Sequence, residues 1–211
     1  GWIETSNISG GEGGTWCAQV PACSAVAVYA DYQPTLNRAC ELAHILGEAS
    51  LRDRLIAYPA IAQNPSLLSC EIAGRFFMDA FLAQLLEETE WERREHAAVL
   101  WQALGQIGVN LLHLPFRFEL SHRLHEERRH GYLSVNDINK LTNTIWEDYF
   151  ADTVRGSDQY VWAAKLHFYL PREPHYDWQY TAGYLIGGLL GSGEGIGVTI
   201  SNCVSQVDVS V

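Results

Sequence analysis

Cations are scarce in this chain: 14 lysines and arginines stand against 25 aspartates and glutamates, a formal net charge of −11, with a pI near 5.1. That balance excludes a phosphate-backbone partner, so no nucleic acid is expected, and it excludes polybasic contact with a membrane. Long apolar runs are also missing, and Gly1-Trp2-Ile3-Glu4 has neither a basic nor an apolar leader region, so no membrane partner and a cytoplasmic location are expected. A first residue other than Met predicts a chain that was processed or cut from something longer. The five cysteines, Cys17, Cys23, Cys40, Cys70 and Cys203, form no C-x-x-C pair and are odd in number, which argues against a disulfide framework and for reduced thiols. What the chain does have is 211 residues at 47% hydrophobic content, enough to bury one core.

The patterning is mostly helical. Glycines 10, 11, 13 and 14 mark a flexible start, and Val26-Ala27-Val28-Tyr29-Ala30 reads as an edge strand. After Pro34, helical spacing predicts helices over 35–49, 66–88, 92–110, 116–130, 134–151, 157–167 and 176–190, with Ser134 as a cap. Gly183, Gly187 and Gly191, four residues apart, predict close approach of another backbone. The expected fold is mainly α with a small β element near the N-terminus. Residues 1–190 form its domain, and 191–211 are a Gly- and Val-rich tail, strand-like or disordered.

One helix carries chemistry. Ala39-Cys40-Glu41-Leu42-Ala43-His44 reads as a zinc-peptidase helix whose first histidine is replaced by cysteine. Positions i and i+4 point the same way, so Cys40 and His44 grip one zinc while Glu41 serves as general base. Glu71, 27 residues beyond His44, is the third ligand, which leaves a fourth place open for water. Two other readings stand beside this one. In the first, Cys40 and His44 are ordinary residues of a buried face, with Glu41 and Glu71 in salt bridges. In the second, Glu119-Leu120-Ser121-His122 joins Glu41-x-x-His44 in a di-iron helical bundle.

Four segments in order resemble the oligoendopeptidase F and thimet oligopeptidase family of zinc peptidases. They are Gly1-Trp2-Ile3-Glu4 with Gly13-Gly14-Thr15-Trp16-Cys17; Thr35 to His44; Ser69-Cys70-Glu71-Ile72-Ala73; and His167-Phe168-Tyr169 followed by His175 to Leu185. The resemblance implies a zincin-like helical catalytic lobe that hydrolyses short peptides, with His167, Tyr176 and Tyr184 stabilising the peptide oxyanion. Read without the resemblance, Tyr176, Tyr180 and Tyr184 form a stripe that packs a helix face.

Departures from the family pattern are specific. Cys40 replaces a histidine, Met78 stands where the family has an acid, and Gly47-Glu48 replaces the usual text after the motif. The family's N-terminal helical lobe has no counterpart, which implies a partner chain that supplies it, or a homo-oligomer. These departures leave a weakened hydrolase, a metal-free relative that keeps a peptide groove as a scaffold, or one piece of a split enzyme.

Overall fold

The computed structural model describes residues 2–5, 14–31, 33–87, 90–154, 156–170 and 175–191. The tail after Gly191, Cys203 within it, and glycines 10, 11 and 13 lie outside the described residues. The chain is mainly helical and divides into two compact units, one made of residues 1–105 and 182–211, the other of residues 106–181.

In the first unit, strands β1 (Trp2–Thr5), β2 (Trp16–Val20) and β3 (Ala25–Ala30) form a sheet in the order β1-β3-β2. The strand expected at an edge is therefore the central one. β3 pairs parallel with β1 and antiparallel with β2, with Trp2 opposite Ala27 and Trp16 opposite Tyr29. Its alternation gives it one buried face: Val26, Val28 and Ala30 point inward, and Val26 and Val28 pack with Ala49, Leu42, Ile45 and Leu46. Those four residues belong to helix α1 (Leu36–Leu55), which starts where the Thr35 side chain accepts a hydrogen bond from the Arg38 N–H.

Helix α2 (Leu67–Glu87) packs along α1, and a core of Cys40, Met78, Leu82 and Val99 fills the space beside them. The glycines let these helices come close. A Cβ on Gly47 would collide with the Ala73 carbonyl, and α1 and α2 touch there. Helix α7 (Asp177–Gly191) approaches α2 through Gly183 and Gly187, whose added Cβ atoms would lie 2.5 Å from the Glu71 Cβ and 2.7 Å from the Arg75 Cβ.

The two helices expected over 92–110 and 116–130 are one uninterrupted run: α3 (Arg93–Gly108), a π-turn at Val109–His113, and α4 (Leu114–His130). Pro115 does not break it, because the wide π-turn falls just before the residue that lacks an N–H. This 38-residue helix is long enough and, with a mean hydropathy of 1.2 over one window, apolar enough to cross a membrane, unlike the expectation from unbroken apolar runs. Gln102, Gln106, Asn110 and His113 nevertheless recur along it at helical spacing.

The second unit is built on α4 and α5 (Val135–Phe150), the latter opened by a reciprocal capping box between Ser134 and Asp137. Its core is Phe116, Leu120, Ile145, Phe150 and Val161. The helix expected over 157–167 is cut to one turn, α6 (Val161–Ala164), and a short 3-10 turn over Leu166–Tyr169. Trp162 and Phe168 both pack on this core, and six residues apart on one α-helix they would face different directions.

Candidate metal centre

Helices α1 and α2 bring three donors together. The His44 Nε2 lies 3.3 Å from a Glu48 carboxylate oxygen on its own helix and 3.5 Å from Glu71 on α2. All three donor atoms fall within 4.8 Å of one another, and among the described residues this is the one such group. Glycine makes the space. A Cβ on Gly74 would lie 2.5 Å from the His44 Nε2, and Gly183 leaves similar room over Glu71.

The donor spacing suits a metal. Nitrogen and oxygen ligands at about 2.0–2.1 Å around a tetrahedral zinc lie about 3.3–3.4 Å apart, close to the two separations seen here. The group is also electrostatically loaded. Burial pushes the Glu71 carboxyl up to about 7, with Glu48 adding to the rise and His44 and Arg75 opposing it. Asp79 is raised by burial too, although Arg75 lies 3.6 Å away. The Arg75 guanidinium, lowered by its own burial, lies 4.6 Å over the Tyr184 ring.

Two sequence-derived site residues stand apart from this group. Cys40 is one turn before His44 as expected, yet its sulfur does not join the donors. It is 1% exposed and packed with Met78, Leu82 and Val99, and burial drives its thiol up to about 11. A thiol in that setting stays neutral at physiological pH. The Glu41 carboxylate accepts from Asn37 at 2.7 Å and from Arg38 at 2.6 Å, pairs that hold it along the helix surface. Glu48, by contrast, stands out in the sequence only as a departure from a family pattern. Its signal was its place four residues after His44, a spacing too common to stand out.

The other expected residues are placed as follows. Tyr184 is buried in the first unit. His167 and Tyr176 belong to the second unit, where their rings stack at 4.9 Å. His167 lies 3.9 Å from Asp177, itself bonded to Arg117 at 2.7 Å, and burial with nearby cations brings its imidazole down to about 4. Glu119 and His122, the pair a di-iron bundle would need, are partly exposed and engage Arg123 and Glu126 along α4. Compared with known proteins, the chain matches no family model, no curated protein and no solved structure.

Proposed function

We propose that the chain is a zinc-dependent hydrolase of short peptides, of the oligoendopeptidase type, in which His44, Glu48 and Glu71 hold the metal and Glu48 takes the ligand place left by Cys40. The observation that carries this reading is the convergence of those three donors within 4.8 Å of one another, with His44 3.3 Å from Glu48 and 3.5 Å from Glu71. When bound to such a set, zinc supplies Lewis acidity and makes a water more acidic.

The chain's own residues supply the rest. The His44 imidazole offers its Nε2, and the two carboxylates set the charge, leaving one place open. Gly74 and Gly183 keep the donors from being crowded out. Glu41 acts as base once its bonds to Asn37 and Arg38 give way, and Tyr184, in the same unit, donates to the peptide oxygen as charge develops on it. The test is metal analysis of protein never exposed to chelator, with cleavage of a broad peptide library. About one zinc per chain is expected, kept in Cys40→Ser and lost in His44→Ala. Metal-free protein with no cleavage overturns the reading, and loss of zinc in Cys40→Ser overturns the ligand set.

A second reading is a catalytically inactive, zincin-like peptide-binding scaffold. The neutral Cys40 thiol in its apolar cluster and the engaged Glu41 favour it. Here Cys40→His creates zinc binding and peptidase activity where the parent has none, whereas loss of existing activity counts against it.

A further inference from the structure

Away from the donor group, the second unit carries two adjoining cavities of about 380 Å³ and 290 Å³ that share Ser121, His125, Phe168 and Tyr169. The first adds His167 and His175, and the second adds Arg128, Trp162, Leu124 and Ile138. In a chain with 25 acidic residues, none of the described residues lining either cavity is Asp or Glu. The carboxylates of Glu119 and Glu126 on α4 engage Arg123 and His122.

The polar groups are held in place. The His125 Nδ1–H donates to the Ser121 carbonyl at 2.7 Å, which fixes the tautomer and leaves Nε2 available. The Ser121 hydroxyl meets the His175 Nδ1 at 2.9 Å, and the His125 and His175 rings lie 4.7 Å apart. His175 sits at φ 60, a left-handed conformation that costs a non-glycine residue energy and recurs at ligand clamps. Burial lowers both His167 and His175, and Arg128 is the permanent cation of the lining. Among the described residues Arg128 has no ion-pair partner. The apolar half is equally set, since the Trp162 indole N–H donates to Asn139 at 2.9 Å.

We infer that these joined cavities bind a small organic carboxylate bearing an aromatic or branched apolar group, with the carboxylate at Arg128 and the apolar group against Trp162, Phe168 and Leu124. A guanidinium recognises a carboxylate through paired N–H donors, and cavities of this size enclose about one amino-acid-sized group. The same chemistry is carried by a free aromatic acid and by the C-terminal residue of a peptide. The site is independent of the zinc reading, because none of its residues belongs to the His44 group or is Glu41 or Tyr184.

Calorimetry on chelator-treated protein tests it with four probes: N-acetylphenylalanine, its amide, inorganic phosphate, and a blocked tripeptide ending in free phenylalanine. Saturable binding of the acid is expected, at least tenfold tighter than the amide, with no detectable binding of phosphate. The Arg128→Gln variant, checked for fold by circular dichroism, loses at least tenfold, and Trp162→Phe keeps the carboxylate preference. Tighter binding of the tripeptide identifies a peptide end as the ligand, and tighter binding of N-acetylphenylalanine identifies a free acid. Equal binding of acid and amide, unchanged affinity in Arg128→Gln, phosphate as good as the acid, or no saturable binding at millimolar concentration overturns the proposal.

Discussion

Cys40 and Glu48 flank His44 one turn away on either side of the same helix, and what faces each decides its chemistry. Cys40 meets Met78, Leu82 and Val99, whereas Glu48 meets the imidazole. Glu48→Gln keeps the shape and removes the charge, so zinc stoichiometry should fall while the urea midpoint of the chelator-treated variant stays near that of the chelator-treated parent. Cys40→Ser should do the reverse, leaving zinc content intact and costing about 1–3 kcal/mol by burying a hydroxyl among apolar side chains.

His167 supplies a pH signature. Its folded value near 4 lies below the ordinary histidine range. Below about 6.5 the unfolded chain therefore takes a proton that the folded chain refuses. The contribution is fully present above that value and is lost as pH falls toward 4. Urea titrations at a series of pH values should show this slope in the parent and a shallower one in His167→Gln, a difference that cancels the carboxyl groups common to both.

At the scale of elements, the helices and their caps were the legible part. Periodicity found the long ones, and Ser134 before Asp137 announced the capping box that opens α5. Ser134→Ala should cost about 1 kcal/mol, read as a lower thermal midpoint. Local pattern failed where distant residues decide. Val26–Ala30 looks the same at an edge or in the centre, and only its pairing with β1 and β2 distinguishes them. Trp162 and Phe168 are drawn to one core and so break a helix that spacing alone allows. In the donor group, His44 and Glu71 were visible as a motif. Glu48 was not, and the choice between Cys40 as ligand and Cys40 as a residue of a buried face, both open in the sequence, fell to the buried face because of the apolar side chains opposite.

For the whole molecule, the two compact units predict a regional response to zinc. Zinc at a hundredfold excess over its Kd stabilises the folded state by about 2.7 kcal/mol. Hydrogen exchange should then slow along α1 and α2 in the first unit more than along α5 in the second. Uniform slowing across the chain would place the metal elsewhere.

Gly74 and Gly183 shape the donor group by what they leave out. A saturation library screened for zinc retention should therefore show two silent-looking positions as intolerant as His44 itself. The map of essential residues would include two that own no side chain, and alanine scanning, usually the gentlest of probes, would there act as an insertion of bulk.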